Sequence, residues 1–119
     1  MWGYRKVSFV RKVGDVARPA RRGELNWALS RELLERREEL GLSQKETARR
    51  AGLSSNVYQR LEYDERAMSV EQLDAIAEAL ETTGDAIFKA AKARVERGEA
   101  PSFAEKAARR LDAAIGYRK

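Results

Sequence analysis

The chain has 119 residues with 24 basic and 19 acidic side chains, a formal net charge of +5, and its length suits one domain with attachments. It contains no cysteine and no histidine, which excludes disulfide scaffolds, thiolate and imidazole metal sites, and catalysis by a nucleophile paired with histidine. Carboxylate chemistry is all that remains to an enzyme, and 2 prolines and 8 glycines leave little loop for a cleft, so the expectation is a non-enzyme with no metal and no cofactor.

At the N-terminus, Met1-Trp2-Gly3-Tyr4-Arg5-Lys6 lacks the apolar core of a signal peptide, and no apolar run reaches membrane-span length. A cytoplasmic protein with no membrane partner is therefore expected. Residues 1–23 set Arg5, Lys6, Arg11, Lys12, Arg18, Arg21 and Arg22 against Asp15 alone, a basic arm of net +6. Its β-branched and aromatic residues Tyr4, Val7, Phe9, Val10 and Val13 predict an extended segment or short strand over 4–13. Pro19 and Gly23 mark a linker to the first helix.

Residues 25–40 combine strong helix formers with Trp27, Ser30, Leu33, Leu34 and Leu40 near one face, and Gly41 is a natural stop. Ser43 with Glu46 has the spacing of a capping box, opening a second helix that Gly52 ends. Ser54 caps a third helix over 55–62. Ser69 opens a fourth, in which Val70, Leu73, Ile76, Ala77 and Leu80 recur at helical spacing. Past Gly84, residues 85–97 place Ile87, Phe88, Ala91 and Val95 on one stripe. Ser102 with Glu105 then opens a last helix bearing Phe103, Ala107, Leu111 and Ile115 at steps of four, as domain core or as dimer seam. The prediction is an all-α protein with a basic arm at 1–23, a helical domain at 24–88 and a C-terminal helical extension at 89–119. Residues 63–88 are net −6 and residues 89–119 net +5, so a polyanion-binding surface must draw on an end or on one narrow face of the centre.

Residues 43–62 are two short helices joined by Ala51-Gly52-Leu53-Ser54, the length and turn chemistry of a helix-turn-helix. Ala48 is small where the second helix must cross, and Val57 and Leu61 fall on the inward side. With Leu33-Leu34-Glu35-Arg36-Arg37-Glu38-Glu39-Leu40-Gly41-Leu42-Ser43-Gln44 before this unit, and Arg60-Leu61-Glu62 and Ser69-Val70-Glu71-Gln72-Leu73 at its end and beyond, the stretch 33–88 resembles the phage-repressor and Cro-like helix-turn-helix family. The resemblance implies a lambda-repressor-like five-helix domain, here with an N-terminal arm and an extra C-terminal amphipathic helix. It implies that helix 55–62 lies in the major groove of double-stranded DNA. Gln44 then grips a phosphate and braces a recognition-helix side chain, while Ser54, Ser55, Asn56, Gln59 and Arg60 face DNA. The side-chain chemistry agrees, because Asn and Gln pair with adenine and Arg with guanine. The family pattern also makes Arg37 and Glu62 a structural pair, and Tyr58 a core residue with its hydroxyl at the edge.

Two departures stand out: Asp64 occupies a family glycine position and Met68 a family proline position. Acids at 64 and 65 repel phosphate, so either Arg66 dominates that loop at the DNA or the loop stands off. In the basic arm, Arg18, Arg21 and Arg22 are candidates for reaching DNA, against a solvated or dimer-forming tail. The leading functional reading is a homodimeric, sequence-specific transcriptional repressor. A helix-turn-helix antitoxin or adaptor with a protein partner and secondary DNA binding is the alternative, and an enzyme using Glu62, Asp64 and Glu65 is the weakest reading.

Overall fold

The computed structural model describes residues 23–116, in which α1 (Glu24–Glu39), α2 (Gln44–Ala51), α3 (Ser55–Glu62), α4 (Val70–Ala79), α5 (Gly84–Glu96) and α6 (Phe103–Gly116) follow one another with no strand among the described residues. None of these helices is long and apolar enough to cross a membrane. The segment expected to be extended over 4–13, and Arg18, Arg21 and Arg22, lie outside the described residues.

The core forms where the apolar stripes of five helices meet: Leu33, Tyr58, Leu61, Ile76 and Leu80 are fully buried, and Ala28, Ala48, Ala77 and Ala91 let the backbones approach. α1 packs on α5 and α3, α2 on α3 and α4, and α4 on α5. The second half of α5 contributes Ala91 and Val95, so this core extends past residue 88. Two expectations from the apolar spacing are corrected. Val70 is 78% exposed and Phe88 41% exposed, because each sits at the edge of its helix's buried stripe rather than on it.

Side chains of Ser43, Ser54, Ser69 and Thr83 each accept a backbone N–H in the first turn of the helix they precede, satisfying donors that the helix leaves orphaned. The reciprocal box is complete at Ser69–Gln72 and at Ser102–Glu105. At Ser43 only half of it forms: Glu46 turns away from the cap to bond Arg49 and Arg50, since two guanidiniums outcompete one backbone N–H.

α1 is the polar hub as well as the apolar one. Its Ser30 hydroxyl donates to the Leu61 carbonyl at 2.6 Å. Arg36 lies 3.9 Å from Glu39 and also donates to the carbonyls of Leu80 and Glu81 at the end of α4, where a cation suits the helix terminus. Arg94 of α5 bridges Glu32 and Glu35.

Candidate nucleic-acid interface

The turn between α2 and α3 follows from Gly52, whose φ of +73° is left-handed. Leu53 N–H bonds the Ala48 carbonyl and Gly52 N–H the Arg49 carbonyl, a Schellman closure that reverses the chain in the fewest residues. Ser54 at once caps α3, so the two helices are fixed in relation to each other by backbone bonds as well as by packing.

A buried polar cluster locks the inner face of α3. Glu62 has a fully buried side chain and receives Arg37 at 2.7 and 2.9 Å, Gln44 at 2.7 Å and the Tyr58 hydroxyl at 2.7 Å. Burial pushes the Glu62 carboxyl up, but hydrogen bonds from Arg37, Gln44 and Tyr58 together outweigh it and hold the carboxyl below its ordinary value. The same cluster raises Arg37, chiefly through its bond to Glu62, and burial followed by the Glu62 bond raises the Tyr58 phenol. Arg37–Glu62 is thus the structural pair expected. Tyr58 is in the core, but its hydroxyl is buried on Glu62 and not at the edge, because the carboxylate needs a third donor.

The outer face of α3 carries Asn56 and Arg60 exposed and Ser55 and Gln59 half-buried, with Ser54 exposed at its start. No carboxylate pairs with Arg60 among the described residues. Tyr63, 57% exposed, continues the same row one turn further, and the spacing 56, 59, 60, 63 is its signal in the sequence. Gln44 stands at the first position of α2 with its amide on Glu62, the bracing contact expected of it. Arg49 and Arg50 are held by Glu46, whose carboxyl their hydrogen bonds bring down to about 2.

The loop after α3 explains both departures from the family pattern. Asp64 adopts a left-handed φ of +58°, the conformation for which glycine is favoured. Its carboxylate accepts Asn26 Nδ2 at 2.7 Å and pairs with Lys106 Nζ at 2.5 Å. Asn26 Oδ1 in turn accepts the Met68 N–H at 3.0 Å, a donor that proline at this position lacks. The acid at 64 is therefore neutralised inside the fold, while Glu65 and Arg66 are exposed. Nothing local in the sequence marks Asn26 or Lys106 for this role.

These features define a DNA-binding protein of the helix-turn-helix class. Residues 33–87 match the family described as helix-turn-helix, of the Cro and CI type. Two crystal structures of the clp gene regulator ClgR from Corynebacterium glutamicum are similar. One shares 25% identity and a TM-score of 0.54 over 56% of this chain and 87% of that one. The other shares 24% identity and a TM-score of 0.56 over 76% and 88%, and shows the fold alone. A comparison with curated protein sequences finds no match.

Proposed function

We propose that the protein is a sequence-specific transcriptional repressor that binds double-stranded DNA as a homodimer, with α3 in the major groove of each half-site. The observation that carries this reading is the row Ser55, Asn56, Gln59 and Arg60 on the outer face of a helix whose inner face is immobilised by Tyr58, Leu61 and Glu62. A rigid helix presenting amide and guanidinium groups is what base-edge readout in the major groove requires. Ser54 and Gln44, at the starts of α3 and α2, serve as phosphate contacts, and Arg66 in the loop after α3 adds a third. That the similar ClgR structures are of a gene regulator supports a role in transcription. Occupying an operator is enough to block transcription, so repression asks no further activity of the chain.

One module of this kind buries about 600–1,000 Å² on DNA, so tight specific binding calls for two on half-sites about 34 Å apart. α6 supports the dimer. It is held to the domain through Lys106 and Arg110, while Ala104, Ala107, Ala108, Ala114 and Leu111, the last 61% exposed, face outward. For Ala107 and Leu111 this exposure favours the seam over the domain core. The same exposed face favours, as the second reading, an adaptor or antitoxin whose partner is a different protein.

Selection of bound sequences from a random duplex pool at stated salt tests the proposal, and a symmetric consensus is expected. Against that consensus, Asn56→Ala or Gln59→Ala is expected to cost about 1–3 kcal/mol and to relax one position per half-site with folding intact. Unchanged specific binding by the folded variants removes α3 from the groove.

A further inference from the structure

The described arginines fall into two groups. Seven of them meet a glutamate within ion-pair distance. Arg60, Arg66, Arg109 and Arg110 meet no carboxylate among the described residues. The first two belong to the DNA surface proposed above. The other two lie on α6, a helix that the helix-turn-helix match does not reach.

α6 is fixed to the end of the recognition unit. Lys106, with a side chain only 11% exposed, pairs with Asp64 at 2.5 Å and donates to the Gly23 carbonyl at 2.8 Å, while Arg110 donates to the Asp64 carbonyl at 3.0 Å. Asp64 lies two residues past α3 and is held by Asn26, so α6 has a defined place beside the last turn of that helix. Arg110 shares one groove with Arg66 and Lys106. An adjoining groove brings Arg109 and Arg110 next to Arg31 and Tyr63. Exposed cationic side chains therefore run from Arg60 past Tyr63 and Arg66 onto α6, with exposed Glu65 as the opposing acid in the Arg66 groove.

We infer that Arg109 and Arg110 form a second phosphate-contacting edge, on which the DNA backbone flanking each half-site rests. The inference rests on the reading of α3 as the recognition helix and deepens it. Arginine forks match phosphate bidentately. The pairing of Asp64 with Lys106 removes the charge that would otherwise repel the backbone where α6 meets the loop. DNA is favoured over an acidic protein surface because the row is continuous with the α3 face.

The test uses the full chain and the selected duplex, with Arg109→Gln and the double variant Arg109→Gln/Arg110→Gln. The slope of log K against log salt is expected to become shallower by about 0.9 per protomer for the single variant and about 1.8 for the double. The base consensus is expected to stay the same, and hydroxyl-radical protection to be lost on the inner flank of each half-site, toward the proposed α6 seam. Arg109 has no intramolecular partner among the described residues, so the single variant keeps the wild-type melting temperature and remains decisive if the double variant folds poorly. Wild-type affinity and slope in Arg109→Gln overturn the inference and leave the α3 reading standing. Reduced affinity with an unchanged slope also overturns it, as does loss of binding to an acidic protein with DNA binding intact. If the wild-type protein selects no duplex at any salt, the reading of α3 fails, and the inference with it.

Discussion

Glu62 shows how one side chain serves a whole interface. A buried carboxylate is costly unless its lone pairs are filled, and here residues from α1, α2 and α3 fill them. The carboxylate thereby ties the recognition helix to the two helices that support it. Glu62→Gln leaves the Arg37 guanidinium, 14% exposed, without its counter-charge, and the expected loss is about 3 kcal/mol at neutral pH, measured by urea unfolding. The pH dependence has a definite sign. Folding lowers the Glu62 carboxyl, so its contribution is complete above the ordinary glutamic acid value of about 4.3 and fades as pH falls through the lower folded value. Wild-type stability is expected to drop over that acid range while Glu62→Gln loses less. Parallel curves for the two proteins would show that the cluster does not titrate on unfolding.

At the scale of the element, five of the helices end the same way, with a left-handed residue and paired closing hydrogen bonds at Gly41, Gly52, Asp64, Glu81 and Gly98. Three of these are glycines, the residue type that marks a helix stop in a sequence. The two acids are not, since a side chain in this conformation costs roughly 1–2 kcal/mol. They differ in what offsets that cost. Asp64 holds Lys106 and Asn26 in a half-buried pocket. The Glu81 side chain, 66% exposed, has only Arg50 at 3.8 Å, a contact worth little. Opposite outcomes are therefore expected from one substitution. Glu81→Gly gains about 1 kcal/mol by relieving backbone strain, whereas Asp64→Gly loses stability and speeds hydrogen exchange in α6. Thermal melts and exchange on both variants check this, and a gain at both positions would show that the Lys106 anchor contributes nothing.

At the scale of the molecule, α6 attaches by its charged edge and leaves Ala104, Ala107, Ala108, Leu111 and Ala114 to solvent, the reverse of an ordinary surface helix. Exposed apolar side chains arranged this way suit burial against a second copy. Leu111→Glu puts a charge in the proposed seam. It is expected to shift the protein to monomer in sedimentation and to weaken binding to a full operator at least tenfold, while half-site affinity and the melting of the five-helix core stay the same. A wild-type protein that sediments as a monomer, both free and on a full operator, would rule out the dimer.

By itself the sequence determined which segments are helical, where each begins, and that the stretch 33–88 resembles a helix-turn-helix domain, because capping serines, αL glycines and apolar spacing act within a few residues of one another. It also made Asp64 and Met68 visible as departures from pattern without saying what they were for. Only the tertiary structure decided that. Asn26, Asp64, Met68 and Lys106 lie in four different parts of the chain, and neutralising the acid, occupying the Met68 N–H and seating α6 are one arrangement that exists only when α1, the loop and α6 meet. The same holds for Arg36, Val70, Phe88 and the Tyr58 hydroxyl. Periodicity places a residue on a helix face, but the partner helix decides whether that face is covered and which polar group waits there.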